Sequence, residues 1–93
     1  MIYEWDERKN QKNYRKHGVW FEEAQTIWQD PFALEFYDVV HSADEERFIR
    51  IGYSAAQKIL VVVFCERHSG KSIRIISARK ATSLEKGFYE KRV

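Results

Sequence analysis

The sequence predicts an α+β fold, in which an antiparallel β-sheet of about four strands, plus a short N-terminal strand, packs against two N-terminal helices and precedes a C-terminal helix. Apolar residues recur at helical spacing in residues 21–29. Three later segments carry the alternating or continuous apolar runs typical of strands, and short polar turns separate them. A chain of 93 residues with 44% hydrophobic content has room for one core, so we predict a single domain spanning residues 1–93.

The first part of the chain predicts a short strand at residues 2–5 and a helix over residues 6–17. Asp6 is a good N-cap, and Gly18 supplies the left-handed residue that ends many helices. This helix is very polar, and its Lys and Arg residues recur three or four positions apart, so tertiary contacts must hold it in place. The side chains best suited to anchor it on the sheet are Trp5, Tyr14 and His17.

The rest of the chain predicts one more helix, a run of strands and a closing helix. The second helix spans Phe21 to Gln29 and ends at Asp30-Pro31. Four extended segments follow, at residues 32–40, 47–53, 59–65 and 71–78, with an acidic loop at 41–46 and turns at 54–58 and 68–71. The apolar residues on both faces of the third segment place it in the centre of the sheet. The closing helix runs from Thr82 or Ser83 to Lys91, with Ser83 and Lys86 as weak cap signals.

Charge is unevenly distributed along the chain, although the net charge is only +2. Residues 65–93 hold eight Lys or Arg against three Asp or Glu, whereas residues 21–64 hold three against eight. This pattern suits a surface with one pole for nucleic acid and another for a basic partner, or a surface that compensates itself. The single cysteine, Cys65, predicts a buried, reduced thiol in a cytosolic protein. The longest apolar run, residues 59–65, is too short for a membrane span, and no export signal is visible.

The last predicted strand carries arginine and leads directly into a basic helix. In a strictly alternating strand, Ile73, Ile75 and Ser77 share one face, and the other face holds Arg74, Ile76 and Ala78. Arg79 and Lys80 then lie where the strand ends. Arginine presents a planar fork of donors that matches phosphate oxygens, so this segment predicts phosphate binding. A solvated strand edge paired with acidic residues is the alternative.

Several separate motifs occur here in the order in which they occur in the BrnT family, and the chain resembles that family over roughly residues 3–90. The matching residues are Trp5-Asp6, Lys9, Asn13, Lys16-His17-Gly18-Val19, Phe21-Glu22-Glu23-Ala24, Glu45-Glu46-Arg47-Phe48, Ile51-Gly52, Arg74-Ile75-Ile76-Ser77-Ala78-Arg79-Lys80-Ala81, Glu85 and Tyr89. The resemblance implies a RelE-like fold and a ribonuclease toxin of a bacterial type II toxin–antitoxin pair. A BrnA-type antitoxin with a ribbon-helix-helix DNA-binding domain would neutralise it.

The resemblance also implies where and how such a toxin acts. RNA is the substrate in the cytoplasm, operator DNA is contacted only through the antitoxin, and a toxin dimer can form within the complex. In RelE-like enzymes the ribose 2′-OH attacks the adjacent phosphate and the 5′-oxygen leaves, while basic side chains manage protons and charge. No cofactor and no metal are expected, and the three His and one Cys of this sequence lack metal-ligand spacing.

Catalytic roles are predicted for five residues of this sequence. Arg79 is the first candidate for clamping the scissile phosphate. Arg67 follows the central strand and could approach Arg79 across the neighbouring ladder. Arg50 is the third candidate, with Arg47 as its competitor, because a one-residue error in register exchanges their faces.

The other two catalytic candidates are Tyr89 and His17. The RelE-like resemblance implies a tyrosine near the C-terminus, for which Tyr89 is the match, although it could simply pack the last helix. His17 lies in a family motif and could transfer protons, or it could cap the helix C-terminus. His41 and His68, in presumed loops outside the motifs, are weaker candidates.

Further basic residues are predicted to bind the RNA backbone, and two acids are predicted to orient arginines. The RNA-binding candidates are Arg47, Arg74, Lys80, Lys9, Lys12 and Lys16. The acids are Glu46 and Glu85.

An alternative function is non-catalytic. RelE-like folds include relatives that act on DNA gyrase, so the fold alone does not fix the chemistry. In this alternative the basic pole binds a protein partner, and the chain is an interaction module that represses its own operon within a DNA-bound complex. The sequence shows neither a helix-turn-helix nor a ribbon-helix-helix pattern, which disfavours a plain DNA-binding domain.

Overall fold

The computed structural model of the chain describes residues 1–43 and 45–92. Asp44 of the predicted acidic loop and Val93 lie outside the described residues. The elements, in chain order, are β1 Ile2–Glu4, α1 Glu7–His17, α2 Phe21–Ala24 continued by a 3₁₀ turn Gln25–Gln29, β2 Leu34–Tyr37, β3 Arg47–Tyr53, β4 Ile59–Arg67, β5 Ser72–Lys80 and α3 Ser83–Arg92. The predicted α+β class and the predicted order of elements are confirmed.

The strands form one mixed sheet in the order β1-β5-β4-β3-β2. Strands β2 to β5 are an antiparallel meander, as predicted, and the apolar β4 lies at the centre. The short β1 is an integral fifth strand that pairs in parallel with β5, so the prediction of an antiparallel sheet of about four strands is wrong on this point. Sequence periodicity indicates a strand but carries no information about its partner.

The two faces of the sheet have separate cores. One face, which we call the inner face, packs against α1 and α2, and its buried residues are Val19, Phe21, Ala24, Ile27, Leu60, Val62, Phe64, Ile73, Ile75 and Ala78. The opposite face, which we call the outer face, is the one that carries Val61 and Val63 of β4. Helix α3 covers only one end of it, around the cluster Leu34, Ile51, Val61, Ala81 and Tyr89. Helix α3 does not extend over the rest of the outer face.

Two buried asparagines hold helix α1, together with the predicted anchor Trp5, whose ring packs edge-on against Phe21 in the inner core. Asn13 bonds to the N–H and the C=O of Ala78 in β5, at 3.1 and 2.8 Å, and its Nδ2 also donates to the carbonyl of Val19. Asn10 accepts from the N–H of Phe21 at 2.8 Å. The Tyr14 ring instead stacks on the exposed ring of Trp20 and remains half-exposed itself. Amide groups dominate here because they satisfy backbone groups that would otherwise be buried without partners.

The predicted caps of α1 are confirmed, whereas the cap of α3 differs and the second helix is α-helical only to Ala24. Asp6 accepts from the N–H groups of the first turn of α1, and Gly18 closes that helix in the left-handed conformation at φ 71°. At α3 the cap is Thr82 with Glu85 and not the predicted Ser83 with Lys86. Thr82 N–H donates to Glu85 Oε1 at 2.8 Å, and Glu85 N–H donates to Thr82 Oγ1 at 3.2 Å, which is a capping box.

Candidate functional site

An irregularity in β5 decides which of its residues share a face. The pairing with β4 shifts between Val63 and Phe64, so Arg74 lies opposite Cys65 and Arg79 lies opposite Val61. Cys65 and Val61 are both odd-numbered residues of β4 and therefore lie on its outer face. The residues opposite them, Arg74 and Arg79, lie on the same face. Strict alternation would have put Arg74 and Arg79 on opposite faces; the bulge brings both onto the outer face and returns Ala78 to the inner core.

Four arginines from three adjacent strands occupy the outer face. Register places Arg47 of β3 opposite Cys65, which itself lies opposite Arg74, and Arg67 shares the odd-numbered side of β4. We call Arg47, Arg67, Arg74 and Arg79 the outer-face arginines. Arg47, Arg67 and Arg74 lie at the end of the sheet that α3 does not cover. Arg79 lies at the other end, beside α3.

Arg79 is the most strongly fixed of the four. Its Nη1 and Nη2 donate to the two carboxylate oxygens of Glu85, each at 2.7 Å, and Nη1 also donates to the carbonyl of Lys80 at 3.3 Å. Hydrogen bonding to Glu85 raises the pKa of Arg79. Its side chain is 40% exposed, and within the described chain its Nε and the second N–H of Nη2 have no partner. That side of the guanidinium can bind an anion while Glu85 holds the other side.

Arg67 does not approach Arg79, contrary to the sequence prediction. Arg67 lies opposite Ser72 and Arg79 opposite Val61, so six residues of β4, about 20 Å, separate them. The Arg67 guanidinium is instead 3.6 Å from Glu45, next to the predicted partner Glu46. Beside it, Cys65 is a buried free thiol, as predicted, and burial raises its pKa.

Arg50 is separated from the other candidate arginines by the sheet itself. It lies opposite Val62, on the inner face, where it donates to Glu35 at 3.0 Å and its guanidinium carbon is 5.2 Å from the centre of the Trp28 ring. Its side chain is only 17% exposed. These contacts are those of a structural arginine beneath the helices.

Tyr89 is committed to the fold of the chain. Its side chain is buried on the side of α3 that faces the sheet, and its hydroxyl donates to Asp30 Oδ2 at 2.6 Å. The same carboxylate oxygen accepts from the N–H of Tyr53. Burial and the hydrogen bond to Asp30 raise the pKa of Tyr89 to about 12, so the phenol keeps its proton at neutral pH. This arrangement ties α3 to the loop before β2.

The remaining predicted residues lie on or near α1. Lys9, Lys12 and Lys16 are exposed, on the flank of the helix roughly opposite Tyr14. His17 is half-buried in the last turn of α1, next to Gly18. Lys80 is exposed and lies opposite Leu60, on the inner-face side of β5. None of these residues belongs to the outer-face group.

The structure also reveals a pair that the sequence prediction ranked low. His41 Nδ1 lies 3.1 Å from Asp38 Oδ2, and both residues are in the loop that joins β2 to β3. The spacing of an acid three residues before a histidine in a loop is the only signal that could have found it. Among residues 1–43 and 45–92, no three His, Cys, Asp or Glu side chains are grouped as a metal site would require. In the same part of the chain no helix has the length and apolar character needed to cross a bilayer.

The pairing of Glu85 with Arg79 predicts a pH-dependent stability. Hydrogen bonding to Arg79 lowers the Glu85 pKa from 4.5 to about 2. Because the pKa is lower in the folded state, the ionised Glu85 stabilises the fold at pH values above its pKa in the unfolded state. This stabilisation is lost as the pH falls from about 4.5 towards 2. Because Arg79 is well exposed, we expect Glu85→Gln to lower the free energy of unfolding by only about 1 kcal/mol at pH 7 and by almost nothing near pH 2.

Urea unfolding of the wild type and Glu85→Gln at several pH values between 2 and 7 measures this difference. Glu90→Gln, on an exposed part of the same helix, is the control for loss of one carboxylate. A difference between wild type and Glu85→Gln that stays constant down to pH 2 would contradict the prediction.

Comparisons with known proteins agree with the resemblance found in the sequence. A sequence model of the family described as "Ribonuclease toxin, BrnT, of type II toxin-antitoxin system" matches residues 5–85. The 1.1 Å crystal structure of the Brucella abortus ribonuclease toxin BrnT is similar to this chain, with a TM-score of 0.68 and 26% sequence identity over 89% of this chain and 100% of that chain. None of the curated proteins compared with the chain matches it. The chain therefore belongs to the BrnT family of ribonuclease toxins of type II toxin–antitoxin systems, a family that implies an antitoxin partner.

Proposed function

We propose that this chain is a metal-independent endoribonuclease of RelE-like type, which cleaves RNA in the cytoplasm and so inhibits translation. The observation that carries the proposal is the position of four arginines on one partly uncovered face of the sheet. An RNA strand laid across that face would meet guanidinium groups from β3, β4 and β5. Electrostatic attraction to phosphates supplies most of the affinity in such sites and does not depend on sequence.

Cleavage would follow from charge stabilisation on this surface. The ribose 2′-OH attacks the adjacent phosphorus, the bond to the 5′-oxygen breaks, and the products carry a 2′,3′-cyclic phosphate and a 5′-hydroxyl. Negative charge builds up on the phosphoryl oxygens during this step, and preorganised guanidinium groups stabilise it by a few kcal/mol, on the order of 3 kcal/mol. The free side of the Arg79 guanidinium is suited to bind a phosphate of the RNA strand, because Glu85 already fixes its orientation.

The family implies an antitoxin, and we propose that it is of the BrnA type with a ribbon-helix-helix domain. Operator DNA would then be contacted only through that antitoxin, and a toxin dimer could form within the complex. Exposed apolar residues give the toxin a surface for such a protein partner. Leu84 of α3 is 70% exposed, and a groove beside α3 is lined by Leu34, Phe36, Phe88 and Lys91.

The same apolar surface supports a second candidate function without catalysis. The chain would then be an interaction module of RelE or ParE type that acts through a protein partner or as a co-repressor with its antitoxin. The exposed Leu84 and Phe88 lie four residues apart on one side of α3, as in helices that dock onto another protein. Cleavage by the purified chain separates this candidate from the first.

The test is incubation of the purified chain with a defined RNA in excess EDTA, with the new RNA ends identified. We expect the wild type to leave 2′,3′-cyclic phosphate ends and Arg79→Gln to cleave about 100-fold more slowly. Lys86→Gln, which removes one exposed positive charge from α3, is the control and should cleave like the wild type. Thermal melting and antitoxin binding show whether Arg79→Gln is folded, and Arg79→Lys replaces it if it is not. A folded, toxic wild type that leaves RNA intact would favour the second candidate.

A further inference from the structure

The loop between β2 and β3 holds an acid–histidine pair in a defined geometry. Asp38 is nearly buried, and its two carboxylate oxygens lie 3.3 and 3.1 Å from His41 Nδ1. Oδ1 also accepts from the backbone N–H of His41 at 3.3 Å. The His41 side chain is 65% exposed. A carboxylate can only accept at Nδ1, so the neutral imidazole carries its proton there, and Nε2 keeps a free lone pair directed away from Asp38.

Hydrogen bonds attach this loop firmly to the end of the sheet. The N–H of Asp38 donates to the carbonyl of Arg47 at 2.8 Å, which extends the β2–β3 ladder by one residue. Ser42 Oγ donates to the carbonyl of Asp38 at 2.5 Å and accepts from the N–H of Arg47 at 3.0 Å. The imidazole is therefore attached to a framework that can hold it in one place, as general acid–base catalysis requires.

The pair lies at the same end of the outer face as three of the four arginines. Asp38 continues the row formed by Arg47, Cys65 and Arg74, which are opposite one another on adjacent strands. A cleft of about 480 Å³ lies beside this row, lined by Val40, His41, Ala43, Glu45 and Arg47. The Nε atom of Arg47 is buried and has no hydrogen-bond partner among the described residues. Because Arg47 lines this cleft, its guanidinium is placed to contact a phosphate bound there.

We infer that His41 is the general base of RNA cleavage and that Asp38 is its positioning residue; this inference rests on the proposed ribonuclease function. His41 Nε2 takes the proton of the 2′-hydroxyl while the 2′-oxygen forms its bond to phosphorus. The bond from phosphorus to the 5′-oxygen breaks, and that oxygen leaves with the electron pair and takes a proton from water. The resulting hydroxide removes the proton from His41 and restores the neutral imidazole.

This assignment also orders the arginines along the RNA. Arg47 is the arginine next to His41 and would contact the phosphate under attack. Arg79 lies opposite Val61, four residues and about 13 Å along β4 from the row that contains Arg47 and Arg74. Arg79 would then hold a neighbouring phosphate of the same strand, and its loss would weaken cleavage by misplacing the substrate.

The test compares histidine variants in the EDTA cleavage assay with the same defined RNA. We expect His41→Ala to lower kcat about 100-fold with little change in KM, since a general base acts in the transition state and binds little substrate. Added imidazole should restore part of the rate to His41→Ala. The control is His68→Asn, which changes an exposed loop histidine at the same end of the sheet and tolerates its left-handed backbone, φ 54°.

Asp38→Asn separates positioning from a purely structural role. We expect Asp38→Asn to lower kcat about 10-fold. The double variant Asp38→Asn/His41→Ala should have nearly the same kcat as His41→Ala alone. In ¹⁵N NMR, Asp38→Asn should shift His41 from the Nδ1–H form towards a mixture of tautomers. A wild type that cleaves while His41→Ala cleaves equally well would overturn the inference and leave the proposed function standing. A wild type that cleaves no RNA would overturn both.

Discussion

Replacing Asn13 by aspartate is expected to lower the free energy of unfolding by about 3 kcal/mol or more. In the wild type the Asn13 amide donates to the carbonyls of Val19 and Ala78 and accepts from the N–H of Ala78. A carboxylate has no N–H to donate, so a negative charge would be buried against two carbonyl oxygens. A domain of this size is commonly stable by about 5 to 15 kcal/mol, so this change removes a large part of the total.

Urea unfolding measures the effect, and the chain offers a matched control on the same helix. Gln11→Glu makes the same amide-to-carboxylate change at an exposed position and is expected to alter the free energy of unfolding by less than about 0.5 kcal/mol. Equal unfolding midpoints for Asn13→Asp and Gln11→Glu would mean that the Asn13 amide does not attach α1 to β5.

Reversing the charge of Arg74 is expected to weaken RNA binding about 30-fold or more at low salt, which corresponds to about 2 kcal/mol. Arg74 lies on the outer face, in the row with Arg47 and Cys65, so Arg74→Glu would replace the proposed phosphate contact with repulsion. Each lost phosphate contact also lowers the slope of log affinity against log salt by about 0.7 for a single strand. We therefore expect a shallower salt dependence as well as a lower affinity.

Binding to an RNA with 2′-O-methyl groups measures this without cleavage, over a range of salt concentrations. Arg15→Glu changes the net charge by the same amount from an exposed position on α1 and is expected to have a much smaller effect at 150 mM salt. If both variants lose affinity equally, RNA is attracted by net charge alone and the outer face is not its binding surface.

Local chemistry explains why much of the fold follows from the sequence. The caps of α1 at Asp6 and Gly18 are signals contained in a few adjacent residues, and the structure confirms them. The continuous apolar run that became β4 predicted a central strand for the same reason, because both of its faces must be buried. The family motifs likewise lie in short stretches, and the family match over residues 5–85 confirms what they implied.

The candidate site was only partly predictable, because its members come from different elements. The sequence predicted that Arg74 and Arg79 take part in phosphate binding, but the bulge in β5 that places both on the outer face has no signal in the sequence. The prediction that Glu85 pairs with an arginine is confirmed. This pairing is local, because Glu85 lies only six positions after Arg79 across a strand-to-helix turn. The pairing of Asp38 with His41 depends on how one loop is attached to Arg47, and no periodicity reports such an attachment.

By itself the sequence determined the class of fold, the order of elements, the caps of α1, the buried thiol and the family, because each depends on residues that are neighbours along the chain or on recurring motifs. Tertiary structure alone decided the parallel pairing of β1, the faces of the arginines and the commitment of Tyr89 to Asp30. These depend on strand register and on a single bulge. One inserted residue reverses the direction of every side chain beyond it, and only the balance of packing across the whole sheet fixes where that residue is placed.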